Sequence, residues 1–142
     1  MKSLFMHGYR QAQAAGDRMP KVLLKLGHMH LIRGRNWVSL LSLGNFISEF
    51  AKSNNMNSFH LAMYANNTSG DYAWIDKDED YKPLAQVSSK DKWTVIDFRP
   101  LREYVHAGLI ENLRPETRRI IFGFDAALMI GGVLPGTVNL TK

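Results

Sequence analysis

Four side chains suited to binding an anionic group lie close together near the N-terminus of the chain. His28, His30, Arg33 and Arg35 fall within eight residues, directly after Gly27. Imidazole is the side chain that ordinarily titrates near neutral pH, and the planar guanidinium group donates paired hydrogen bonds to carboxylate or phosphate. These residue types predict a ligand site in this stretch, and an anionic small molecule is the ligand that they favour.

The element expected to position these side chains is a strand over Lys21–Leu26. Its residues, KVLLKL, are mostly apolar, which is typical of a central strand buried on both faces. Ligands of open α/β sheets bind in the crevice beyond the ends of such strands. If the strand continued through the histidines, His28 and His30 would face the same side, because residues two apart share a face.

The rest of the chain alternates predicted helices and strands. Apolar spacings of three and four predict helices, and short apolar runs predict strands. The helices are an N-terminal one ending near Gly16, one running through Ala51 after a cap at Ser39 or Ser42, one from Pro100 to about Gly108, and one from Pro115 through Ile121. The further strands are Phe59–Ala65, Trp93–Phe98 and Ala126–Ile130. Residues 21–65 thus form a predicted strand-helix-strand unit with parallel strands.

These elements predict an α/β fold with a partly parallel open sheet of about four strands, flanked by helices. A chain of 142 residues is long enough for one domain. Residues 66–92 are rich in turn and acidic residues, with a helical turn starting at Pro83, and predict a surface excursion. We expect residues 1–142 to be a single α/β domain or the C-terminal portion of a larger one.

Composition narrows the classes of function. The chain is 45% hydrophobic and 22% charged, with a net charge of +5 and no cysteine, which is typical of a packed protein without disulfides or zinc–thiolate sites. No window approaches the roughly 18 apolar residues of a membrane helix. The apolar run Leu4–Met6 is too short for a signal peptide. We therefore expect no membrane partner, and the compartment is left unassigned.

Metal and cofactor sites are not predicted. His28-x-His30 supplies two imidazoles, whereas zinc sites need three or four ligands. The acidic run Asp76–Asp80 alternates like a calcium loop, but it has Tyr81 where such a loop has glycine and Val87 where it has glutamate. A solvated loop is the favoured interpretation.

Two further groups of polar residues have structural interpretations. Arg114, Arg118 and Arg119 are expected to lie on a helix surface, and without a recognised motif they predict no nucleic-acid partner. Ser39 and Ser42 are expected to cap a helix rather than act as nucleophiles, because neither lies in a Gly-x-Ser-x-Gly turn.

Asp97 lies at the end of the predicted strand Trp93–Phe98. Its carboxylate can orient a histidine from a neighbouring strand, or pair with Arg99 or Arg102. We therefore include Asp97, with Arg33 and Arg35, among the residues expected to contact a substrate.

Several segments resemble the C-terminal half of the erythromycin esterase and ChaN-like superfamily. They are VLLKLGHMHLIRG, SLGNFISEFA, TVIDFRPLR and GFDAALMI. The Gly27-x-x-His30 step is also similar to a strand end in TraB and Tiki-type proteins. The resemblance implies an α/β fold and a hydrolase-like activity in which His30 lies in the active cleft with His28 beside it, both in catalytic roles.

The superfamily's other signature, a Gly-Glu-x-x-His-like motif in an N-terminal half, has no match in this sequence. One hypothesis is that the chain is the C-terminal portion of a hydrolase-type protein, inactive alone, with His30 as general base or substrate contact. The alternative is a non-enzymatic module that binds a small anion or a partner. Because a half-fold leaves sheet edges open, we also expect a homo-oligomer or pairing with a missing N-terminal half.

Overall fold

A computed structural model describes residues 1–66 and 75–132 of the chain. The chain falls into two compact units, Met1–Ser58, called here the helical unit, and Phe59–Lys142, called the sheet unit. The sequence also predicts a turn at Pro135-Gly136 after the last strand, and these two residues lie outside the described ranges. None of the helices in the described ranges is long and apolar enough to cross a membrane.

The helical unit contains three helices: α1 (Lys2–Ala14), α2 (His28–Leu31) and α3 (Leu43–Ser53). The sequence predicted α1 and α3, and both are confirmed. Their aromatic side chains meet edge to face, with ring centroids of Phe5 and Phe50 5.6 Å apart and those of Tyr9 and Phe50 4.9 Å apart. Such aromatic pairs bury large apolar areas, so this contact forms the core of the unit.

Two local features fix the start of α3. The hydroxyl of Ser42 accepts a hydrogen bond from the Asn45 N–H at 3.0 Å and donates one to the Ile32 carbonyl. Of the two predicted caps, Ser42 is therefore the correct one, and it also ties the helix to the preceding chain. At Gly44 the backbone of Leu31 comes so close that an added Cβ would lie 2.1 Å from its carbonyl oxygen.

The predicted strand over Lys21–Leu26 is wrong. These residues have no regular secondary structure and most are exposed, Leu23 by 96%. Apolar residues form a strand only when neighbouring strands supply hydrogen bonds. Here the run borders α1 instead, across an open groove of about 360 Å³ lined by Leu4, Tyr9, Ala12, Pro20, Val22 and Leu24, among others.

The sheet unit has three strands and three helices in its described part. The strands are β1 (Leu61–Ala65), β2 (Thr94–Asp97) and β3 (Ala126–Ile130), and the helices are α4 (Lys82–Gln86), α5 (Arg99–His106) and α6 (Pro115–Gly123). The order is β1-β3-β2, with β1 parallel and β2 antiparallel to β3. The predicted α/β class and partly parallel open sheet are confirmed, but the sheet has three described strands instead of about four.

The missing strand also overturns the predicted strand-helix-strand unit over residues 21–65. The parallel neighbour of β1 is β3, in the register Met63 to Leu128. Parallel strands need a long connection, and this one runs through residues 66–125 and includes β2.

The two faces of the sheet differ in burial. Ala62, Ala127 and Met129 are fully buried on one face. On the other face, the side chains of Met63 on β1 and Val95 on β2 are 52% and 68% exposed. One face therefore forms the core of the unit, and the other presents apolar side chains.

Within the predicted surface excursion, the described residues 75–81 include buried side chains. Ile75 and Tyr81 are buried, and the ring of Tyr81 meets that of Tyr64 edge to face with centroids 6.0 Å apart. The Asp80 carboxylate accepts hydrogen bonds from Arg114 at 3.1 Å and Thr117 at 3.2 Å. Asp80, the last residue of the acidic run, is thus bonded to the start of α6, whereas Lys77 and Glu79 are exposed.

Candidate functional site

Four of the five predicted site residues lie in the helical unit, and the fifth, Asp97, lies in the sheet unit. The four occupy α2 and the chain that follows it, here called the His28–Arg35 segment. Because the predicted strand is absent, α2 and this following chain position the side chains.

The two histidines point in different directions. Residues two apart on an α-helix are about 200° apart around its axis, so the turn of α2 separates His28 from His30. The predicted shared face is therefore wrong. His28 is half-buried, with its ring centroid 5.1 Å from that of Trp37, whereas His30 is exposed. Burial lowers the pKa of His28 below its usual value, since desolvation disfavours the imidazolium form.

The two arginine side chains donate hydrogen bonds to different backbone carbonyls. Arg33 Nη2 donates to the Ser58 carbonyl at 3.0 Å, and Arg35 Nη1 donates to the Ser39 carbonyl at 2.7 Å. A guanidinium group has five N–H donors. The Arg35 side chain is exposed and its bond to Ser39 uses one donor, which orients the group.

Residues 36–41, here called the Trp37 loop, form a closed turn beside the segment. The Asn36 N–H donates to the Leu40 carbonyl, and the Leu40 N–H donates back to Asn36 Oδ1, both at 3.0 Å. The Ser39 N–H donates to the Asn36 carbonyl at 2.9 Å, and Ser39 has a positive φ of 60°. Asn36 is buried, and its side-chain oxygen links the two ends of the loop by accepting the Leu40 N–H.

The apolar side chains of this loop are presented outward. Trp37, Val38, Leu40 and Leu41 are 44%, 54%, 64% and 53% exposed. Sequence reasoning missed them as functional candidates, although the run WVSLL between the polar residues Asn36 and Ser42 is visible in the sequence.

Charge is divided unequally between the two units. Residues 1–58 carry eight Lys and Arg against two Asp and Glu, a charge of +6. Residues 59–142 carry ten against eleven, a charge of −1. The excess of positive charge therefore belongs to the unit that holds the His28–Arg35 segment.

The two carboxylates of the helical unit are both engaged in local contacts. Asp17 accepts a hydrogen bond from the Met19 N–H at 3.1 Å, and Glu49 accepts one from the Asn45 side chain at 2.9 Å. Within residues 1–66 and 75–132, no three His, Asp or Glu side chains are grouped as metal ligands.

Asp97 is paired within the sheet unit. Its carboxylate accepts hydrogen bonds from the Arg99 side chain at 2.8 Å and from the Arg99 N–H at 3.0 Å. These bonds lower the pKa of Asp97 to about 2. The structure thus confirms the predicted pairing of Asp97 with Arg99.

The other predicted partner of Asp97, Arg102, binds elsewhere. Arg102 Nη2 lies 3.2 Å from Asp125 Oδ1, and the second oxygen of Asp125 accepts the His60 N–H at 2.8 Å. Arg102 also donates to the Ile121 carbonyl at 2.9 Å. Asp125 is buried. The sequence analysis missed it, although a carboxylate inside the apolar run GFDAALMI is a signal that could have indicated a buried group needing a partner.

No family model matches the chain, and no curated protein or solved structure matches it either.

Proposed function

We propose that this chain is a non-enzymatic module that binds anions through the His28–Arg35 segment. The observation that carries the proposal is the exposed Arg35 guanidinium, held by the Ser39 carbonyl in a unit of charge +6. A positive surface raises the local concentration of anions, and an oriented guanidinium gives them paired hydrogen bonds.

Preorganisation distinguishes Arg35 from an ordinary surface arginine. An arginine side chain loses considerable rotamer entropy when it binds a ligand. The bond to Ser39 and the bridge between Arg35 and Leu41 already restrict both the side chain and its backbone. The Arg35 side chain is therefore partly ordered before a ligand binds, and this lowers the entropic cost of binding.

The histidines contribute in different ways. Burial lowers the pKa of His28, which disfavours its charged form, and its ring packs on that of Trp37. His28 therefore contributes to the shape of the site rather than to its positive charge. His30 is exposed and supplies an imidazole hydrogen-bonding group on the surface of α2.

The geometry favours binding over the hydrolase-like activity that the family resemblance implies. The strand end that was expected to carry His30 into a cleft is absent. Nucleophile activation needs a base oriented by a third group, and both carboxylates of this unit are engaged elsewhere.

Inorganic phosphate is the simplest probe of the proposed site, and backbone amide shifts measured by NMR give its dissociation constant. We expect Arg35→Gln to weaken phosphate binding about tenfold, the equivalent of one charge-assisted hydrogen bond. Arg10→Gln is the matched control, because it removes the same charge from α1 of the same unit. Equal weakening by both variants would mean that net charge alone attracts phosphate, and would contradict the proposal.

A further inference from the structure

Building on the proposed function, we infer that the anion is the headgroup of an anionic lipid and that the Trp37 loop inserts into the interface of a bilayer. The loop lies directly after Arg33 and Arg35 in the chain, so the site combines two cationic side chains with an exposed apolar tip.

The first support is the construction of the loop. Its backbone is closed on itself by the paired bonds between Asn36 and Leu40 and by the bond from Ser39 to Asn36. Polar backbone groups that enter a bilayer unpaired are costly. These bonds pair the polar groups of Asn36, Ser39 and Leu40 within the turn, which lowers the cost of bringing its side chains to lipid.

The second support is the composition of the tip. Four of its side chains are apolar and about half exposed or more, and one of them is Trp37. Tryptophan favours the membrane interface, where its ring contacts apolar chains and its N–H finds a hydrogen-bond acceptor. Apolar side chains grouped at a surface usually mark an interaction site.

The third support is charge complementarity, which indicates that the partner of the Trp37 loop is an anionic lipid surface. Anionic leaflets attract clusters of Lys and Arg, and the helical unit has a charge of +6. The sheet unit also exposes Met63 and Val95, but its charge is −1. Exposed apolar side chains and excess positive charge thus occur together in the helical unit.

This contact is peripheral. The sequence predicted no membrane partner because it has no long apolar stretch, an argument that applies to spanning helices. A short apolar loop preceded by two arginines reaches only the headgroup region and binds reversibly.

Cosedimentation of the full chain with lipid vesicles tests the inference. One set of vesicles contains phosphatidylcholine alone, and the other also contains phosphatidylserine. The double variant Leu40→Ser and Leu41→Ser removes two of the four apolar side chains of the tip. The matched control, Leu4→Ser and Leu23→Ser, removes two leucines of the same unit that are 75% and 96% exposed.

We expect the chain to bind the phosphatidylserine vesicles. The loop variant should weaken this binding about tenfold or more, and the control variant should change it less than about twofold. In a Trp74→Phe, Trp93→Phe background, the remaining Trp37 should shift its emission to shorter wavelength with these vesicles. No binding, equal binding to both vesicle types, or equal weakening by the two double variants would overturn the inference.

The outcomes also separate this inference from the proposed function. Phosphate binding that depends on Arg35, without vesicle binding, leaves the proposed function intact and overturns the lipid assignment. The proposed function is overturned if the chain binds vesicles equally well with Arg35→Gln and does not bind phosphate. If the loop variant instead dissociates an oligomer and no vesicles bind, a second copy of the chain covers the loop and the inference is wrong.

Discussion

The two units of this chain use their charged side chains in different ways. In the sheet unit, the buried Asp125 carboxylate is held by Arg102 and by the His60 N–H. In the helical unit, cations outnumber anions by eight to two, and Arg35 is exposed beside an apolar loop. Charges that pair internally maintain a fold, whereas unbalanced charges on a surface are available to a partner.

The contrast extends to apolar side chains. The sheet unit buries Phe98, Phe124 and Met129 completely, as expected for a core built on a sheet. The helical unit has a smaller core built on the aromatic contact between α1 and α3. Both units expose large apolar side chains, such as Leu23 in the helical unit and Trp93 in the sheet unit. The larger buried core thus lies in the sheet unit, whereas the residues proposed to bind an anion lie in the helical unit, and the following substitutions test the packing of the two units.

The largest effect is expected for Asp125→Asn in the sheet unit. The Asp125 side chain is 8% exposed and that of Arg102 24%, and breaking a buried ion pair costs about 3 kcal/mol or more. Chemical denaturation followed by circular dichroism measures the loss in the free energy of unfolding. Asp97→Asn is the control, because the same change on an exposed pair should have little effect; similar losses in the two variants would contradict the account.

A somewhat smaller loss is expected for Gly44→Ala in the helical unit. The added Cβ would lie 2.1 Å from the Leu31 carbonyl oxygen and 2.8 Å from that of Ile32. Backbone must shift to relieve such contacts, at a cost of about 2–3 kcal/mol. In Gly8→Ala the Cβ has no neighbour within 4 Å, so this control should gain about 1 kcal/mol of helix propensity. Thermal unfolding distinguishes the two; a neutral Gly44→Ala would contradict the close packing.

The smallest effect is a pH dependence carried by His28. The unfolded state takes up a proton near the ordinary value of 6.5, whereas the folded state takes it up only at lower pH. The free energy of unfolding should therefore decrease as pH falls below 6.5 and level off below the folded pKa. His28→Gln should remove this decrease in denaturation curves measured across the range. An unchanged pH profile in the variant would show that His28 is not responsible.

Elements defined by local signals were predictable from the sequence. The apolar spacing of α3 and its Ser42 cap lie within a few residues of each other, as do the signals for α1 and β3. The predicted strand over Lys21–Leu26 was wrong because a strand depends on partner strands elsewhere in the chain, and the composition of the segment does not reveal them. The Arg102–Asp125 pair joins residues 23 apart, and a single sequence did not identify it.

The site was predicted in part for the same reason. The sequence places His28, His30, Arg33 and Arg35 together, and in the structure all four lie in a unit of charge +6, with His30 and Arg35 exposed. It could not show that α2 turns the two histidines apart, or that the Trp37 loop closes through Asn36. Those features depend on backbone conformation that residue types alone do not specify.

The most direct test of the central claim follows the arginine Nε–H resonances of Arg35 and Arg102 in one NMR titration with inorganic phosphate. The Arg35 signal should move and saturate, because its guanidinium is exposed and oriented. The Arg102 signal should stay fixed, because Asp125 and the Ile121 carbonyl occupy its donors. A fixed Arg35 signal, or equal movement of both signals, would contradict the division of the chain into a unit that binds and a unit that stabilises.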